Sequence, residues 1–152
     1  MNSQGAAPDE PQTVSIRCSI NRDVRVRLSD PVRDDPDGVY YTVEADAPGL
    51  KARVDGVTAW IWDADLAPFL AQLAADFRGW DGERVWQTND RDLTVTATFR
   101  SGGHVALTWT LRPWRGPTDS WEASITTWLE AGEQMAALAS EVHQLLRPEH
   151  PG

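Results

Sequence analysis

Residues 76 to 93, DFRGWDGERVWQTNDRDL, crowd carboxylates between tryptophans, and two carboxylate pairs have a spacing suited to acid–base chemistry. Asp81 with Glu83, or Asp90 with Asp92, could supply the general acid and general base that cleave a glycosidic bond. Such work requires one carboxyl to be buried, so that it holds its proton near neutral pH. Both pairs lie beside turn residues, where solvent exposure and turn or helix-cap duties are expected instead. His104, His143 and His150 share no metal-ligand spacing, and the lone Cys18 can build neither a zinc pattern nor an internal disulfide. Cys18 falls on the inward side of a strand pattern with no base near it in sequence, which fits an inert core thiol better than a nucleophile. There is no GxSxG, phosphate loop or dinucleotide fingerprint, and no metal or cofactor is expected.

Tryptophan offers a second kind of chemistry. Trp80, Trp86 and Trp114, exposed together, would form a stacking rim, although most tryptophans bury area in a core. Trp60, Trp62, Trp109 and Trp121 could instead line a pocket between helices and sheet, the arrangement needed by a small-ligand binder or an enzyme.

Charge narrows the partners. Fourteen basic against 23 acidic residues give −9, which repels phosphate backbones and anionic lipid, so neither nucleic acid nor membrane is expected. The same charge could attract a basic protein, besides serving solubility. The opening MNSQGAAPDEPQ lacks the basic and apolar regions of a signal peptide, and no apolar run nears a membrane span, so a cytoplasmic protein is expected. At 152 residues the chain suits a single domain over 13–147, between a disordered arm (1–12) and a disordered tail (148–152).

The elements that position these residues follow from periodicity. TVSIRCSI and VRVRLS alternate with period two and predict a hairpin around Asn21 to Asp23, with Val14, Ile16, Cys18 and Ile20 facing inward with Val24, Val26 and Leu28. DPVRDDPDG is expected to be a loop. YYTVEADAPGLKARVD predicts a second hairpin with Pro48-Gly49 at its turn, setting Asp46 opposite Lys51, Glu44 opposite Arg53 and Val43 opposite Val54. After GVTAWIW, a helix capped by Asp63 or Asp65 should place Leu66, Phe69, Leu70, Leu73 and Phe77 on one stripe, closing at Gly79.

DLTVTATFRSGGHVALTWTLRPW is expected to be a hairpin with a three-residue loop, Ser101 to Gly103. Phe99 then pairs with Val105, Ala97 with Leu107, Val95 with Trp109 and Leu93 with Leu111. SWEASITTW adds a strand with Trp121, Ala123 and Ile125 inward. The opposite face collects Thr94, Thr96, Thr98, Thr108, Thr110 and Thr126, framed by Arg100, Arg112 and Glu122. A final helix from Glu130 to Leu146 carries Met135, Leu138, Val142, Leu145 and Leu146. These elements predict an α+β domain: an antiparallel sheet of six to eight strands built from hairpins, with both amphipathic helices on one face.

The segment APGLKARVDGVTAWIWDADLAPFLAQLAADFRGWDGERVWQTNDRDLTVTATFRSGGHVALTWTLRPW, followed by SWEASITTWLEAGEQM, resembles an uncharacterised domain-of-unknown-function family of high-GC actinobacteria. That likeness covers nearly all of the expected domain and implies a stand-alone cytoplasmic domain without assigned activity. In layout alone, the strands, FLxxLxxxF-type helix, glycine turn, long hairpin and closing helix look like the immunity proteins paired with wall-associated toxins. That likeness implies a small acidic protein that neutralises a toxin by binding it. The expected function is thus non-enzymatic protein binding. Its candidate face is Thr96, Thr98, Thr108, Thr110, Arg112, Glu122 and Thr126, and its candidate rim is Trp80, Trp86 and Trp114. A homodimer joined through the threonine face is a further possibility.

Overall fold

The computed structural model describes residues 13–34, 36–60, 66–113 and 120–147. The expected arm and tail, Trp62, Trp114, His150 and the Asp63 and Asp65 caps lie outside the described residues. Strands β1 (Thr13–Arg17), β2 (Arg25–Val32), β3 (Gly38–Ala47) and β4 (Leu50–Trp60) form an antiparallel sheet in that order. The first hairpin turns where Asn21 accepts from the Val24 amide through its carbonyl (3.0 Å) and from the Asp23 amide through its side chain (3.1 Å). Val14 and Ile16 oppose Leu28 and Val26 in the core, but Ile20 lies beyond the strand and is 64% exposed. The expected loop after Ser29 is partly strand. Asp30 takes a left-handed φ of 54°, the register shifts, and β2 resumes to pair Val32 with Tyr40.

Counting gave the second hairpin correctly. Asp46 faces Lys51, Glu44 faces Arg53 and Val43 faces Val54, around Gly49 at φ 79°. Glycine suits this turn because a Cβ resists positive φ.

Helix α1 (Leu66–Ala75) buries Leu66, Leu70 and Leu73 and half-buries Phe69, whereas Phe77 falls after its end and is 52% exposed. Gly79, at φ 115°, lies so near Phe99 that an added Cβ would sit 3.0 Å from its ring. The chain can turn there only without a side chain.

Strands β5 (Glu83–Gln87), β6 (Leu93–Arg100), β7 (His104–Leu111) and β8 (Ala123–Glu130) make the second sheet, again in chain order. All four expected β6–β7 pairs are present. Trp109 is fully buried, and its indole N–H donates to Thr127, also fully buried, at 2.9 Å. Trp121 precedes β8 and is 41% exposed, not inward.

The molecule is α+β, but the eight strands among the described residues form two four-stranded sheets, not one. The sheets approach each other at the end of β1. The Ser19 amide donates to the Trp128 carbonyl at 2.8 Å, while the Trp128 amide donates to Cys18 Sγ at 3.3 Å. A thiol thus stands where a backbone carbonyl would continue a ladder, and pairing goes no further. Helix α2 (Glu133–Leu145) lies against both β1 and β8 and packs on α1, so α2 covers this seam instead of lying over one continuous sheet. A single apolar core draws on both sheets and both helices. Arg33 fastens the far end of α2, donating to the carbonyls of Leu145 (2.6 Å) and Arg147 (2.8 Å), where a helix leaves acceptors unpaired.

Candidate recognition face

Alternation in β5–β8 sends every second side chain to the outer side of the second sheet, and the antiparallel register aligns them in rows. One row runs Val85, Thr96, Thr108, Thr126; the next runs Gln87, Thr94, Thr110, Ser124. Neighbours within the rows hold one another. Thr108 and Thr126 hydroxyls are 2.8 Å apart, Thr110 and Ser124 also 2.8 Å, and Gln87 donates to Thr94 at 3.1 Å. Within each hydroxyl pair only one O–H is consumed, so one donor and several lone pairs stay available in fixed positions. The threonines are half-buried and Ser124 is exposed, which leaves the rows open to contact.

Charge sits at the two ends. Arg112 and Glu122 form a loose pair at 4.0 Å beyond the Gln87–Ser124 row. At the other end, in the row Glu83, Thr98, Ala106, Trp128, the half-buried Trp128 receives the Arg100 guanidinium at 5.7 Å and the His104 ring at 6.1 Å. Trp128 was not singled out from sequence, although its alternation with Thr126 places it on this face. Thr96, Thr98, Thr108, Thr110, Thr126, Arg112 and Glu122 therefore share one surface, as expected.

Of the expected tryptophan rim, Trp114 lies outside the described residues. Trp80 is clasped between Phe99, edge-on at 5.4 Å, and the Arg84 guanidinium at 4.6 Å, and Trp86 is half-buried against the core. The described tryptophans of the expected pocket lie in separate environments: Trp109 is buried, Trp121 is exposed, and Trp60 stacks edge-on with Tyr40 at 6.2 Å. On β3, Tyr40 alternates with the buried Val39 and Tyr41, which puts that ring pair on the outer side of the first sheet. A groove of about 540 Å³ does exist between α1 and α2, but alanines such as Ala67, Ala71 and Ala139 line it, with Ser140 and His143.

Of the carboxylate pairs, Asp81, Glu83 and Asp90 are exposed, as expected of turn residues. Asp92 departs from that expectation, being only 4% exposed, with its pKa pushed upward by burial. Thr88 explains the site. Its hydroxyl donates to the Asp92 carboxylate at 2.6 Å and accepts from the amides of Asp92 and Leu93, while the Arg112 amide donates to the Asp92 carbonyl. These bonds tie the β5–β6 turn to the start of β6 and give the carboxyl a local structural task. The sequence carried a faint signal in the four-residue Thr–Asp spacing, which suits a side-chain-closed turn. Among the described residues, no group of three His, Cys, Asp or Glu side chains is placed to hold a metal ion, and no helix is long and apolar enough to cross a membrane.

Fold and surface together define an α+β domain whose second sheet presents a hydroxylated outer face. The chain belongs to the family described as Family of unknown function (DUF6228), whose model matches residues 17–149. No curated protein and no solved structure matches the chain.

Proposed function

We propose that this chain is a non-enzymatic cytoplasmic binding protein that engages a protein partner through the outer face of β6–β8. The array of cross-bonded hydroxyls carries the reading. Side chains already held by their neighbours lose little freedom when a partner docks, and their spare donors and acceptors specify where its polar groups must lie. Arg112 and Glu122 set the register at one end. The charge of −9 favours a basic partner and speeds its approach. A protein of this kind suits an immunity role, in which occupying a toxin is enough to neutralise it. The tryptophan pocket required by a small-ligand or enzymatic role lacks support, because its described members lie in three different environments.

Affinity capture from the native host compares the wild type with a Thr108→Arg/Thr126→Arg variant, followed by binding measured between purified components. One partner should bind the wild type directly and lose at least tenfold in affinity for the variant, while the variant still unfolds cooperatively with a melting temperature lowered by no more than a few degrees. Equal binding by both proteins, or turnover of a metabolite by the isolated chain, would overturn the proposal.

A further inference from the structure

The strands that end the two sheets differ in how they guard their free edges. β4 ends the first sheet with Lys51, Arg53 and Asp55 in succession and a kink at Gly56, φ 71°, devices that discourage another strand from pairing. β5 ends the second with ERVWQ, in which Glu83 and Arg84 cancel and the central Val85 is 58% exposed. Short, neutral, β-branched segments at an edge are prone to recruit a strand.

Backbone geometry shows what β5 has to offer. The Thr88 amide bonds to the opposing Leu93 carbonyl at 3.0 Å, which makes this a hydrogen-bonded pair. Alternation then turns the N–H and C=O of Arg84 and Trp86 toward β6, and those of Glu83, Val85 and Gln87 toward the free edge.

We infer that β5 pairs antiparallel with β5 of a second copy of this chain, about a two-fold axis at Val85. That axis sets Val85 against Val85 as a hydrogen-bonded pair, Glu83 against Gln87, and Arg84 against Trp86 of the second copy. The outer combination is complementary: the Gln87 amide, which spends one hydrogen on Thr94, has a second for the Glu83 carboxylate. Arg84 stays on its own chain, bonded to Asp76 at 2.6 Å and lying over Trp80, and faces no like charge across the axis. An isologous contact needs such self-matching, and ERVWQ reads as its own partner when reversed. The product is one eight-stranded sheet whose row of hydroxyls continues across the axis through paired valines. The inference stands on the β5 edge and does not depend on the partner proposed above.

Sedimentation of the wild type across a concentration series should show mass rising from 16.9 kDa toward twice that value. Val85→Lys should raise the dimer dissociation constant at least tenfold while leaving the melting temperature of the dilute monomer unchanged, since the side chain it replaces is exposed. Val85→Cys should cross-link under mild oxidation, because opposed residues of a hydrogen-bonded pair lie about 5.5 Å apart, within disulfide reach; Arg53→Cys on β4 should not. A wild type that stays monomeric at concentrations on the order of 1 mM, a dimer indifferent to Val85→Lys, or faster cross-linking through Arg53→Cys would each overturn the inference.

Discussion

The two sheets solve the same surface problem with different chemistry. On the outer face of the first, the β3 acids Glu44 and Asp46 sit between bases on both sides: Arg27 and Arg53 reach Glu44 at 3.6 and 3.7 Å, and Arg25 and Lys51 reach Asp46 at 3.5 and 3.6 Å. On the second, hydroxyls pair with hydroxyls. A ladder of opposite charges consumes its own valence and is screened by salt. A ladder of hydroxyls leaves a donor and lone pairs in every pair and is indifferent to ionic strength. This contrast is the reason we propose recognition on the second sheet, although the first carries more charge.

The inner faces allow the most forceful test of that division. Trp109→Ala should destabilise the second sheet by about 3–5 kcal/mol in denaturant unfolding, as large core truncations do. Thr127→Val, which keeps the shape but leaves the buried indole N–H unpaired, should cost about 1–3 kcal/mol. A negligible cost would mean that this buried hydrogen bond is no part of what holds the sheet. Where the first sheet's exit meets α2, Arg33→Ala should cost about 1–2 kcal/mol by freeing the terminal carbonyls of the helix, measured as a drop in melting temperature.

Acid distinguishes the sheets by sign. Burial raises the Asp92 pKa above its ordinary 3.8, so the folded state takes up this proton more readily than the unfolded chain. Its contribution to stability is fully present below the unfolded value and is lost as pH rises through the folded one. Asp55, on β4, is shifted the other way by its 2.9 Å bond to Arg53, and its contribution is lost on acidification. Stability of the wild type relative to Asp92→Asn, followed from pH 7 toward its ordinary 3.8, should therefore move in the wild type's favour; a flat difference would show that Asp92 titrates alike folded and unfolded. The smallest effect expected is that of single rungs. Glu44→Gln should cost at most about 1 kcal/mol, shrinking in molar salt, whereas Thr108→Val should cost about 0.5 kcal/mol regardless of salt.

Sequence made the hairpins legible because turn chemistry and alternation act over a few residues. Pro48-Gly49 and Ser101–Gly103 pinned two registers that the structure reproduces pair for pair. The hydroxylated face followed directly, since a correct register assigns every side. What could not be read depends on partners far along the chain. Whether β1 and β8 fuse into one sheet turns on Cys18 and Ser19 meeting Trp128, more than a hundred residues away, and the Arg33 cap on α2 is equally remote. Alternation misled at element ends: Ile20, Phe77 and Trp121 fit their stripes by number but fall past the last paired or helical residue. Asp92 resembled any acidic turn residue until Thr88 was found folded onto it.

The sulfur acceptor at the seam has a practical consequence. Cys18 is 3% exposed, and its thiol is occupied only while the Trp128 amide lies beside it. A thiol-directed reagent is expected to alkylate it only when this contact opens, so the labelling rate at excess reagent should report how often the seam at Cys18 parts.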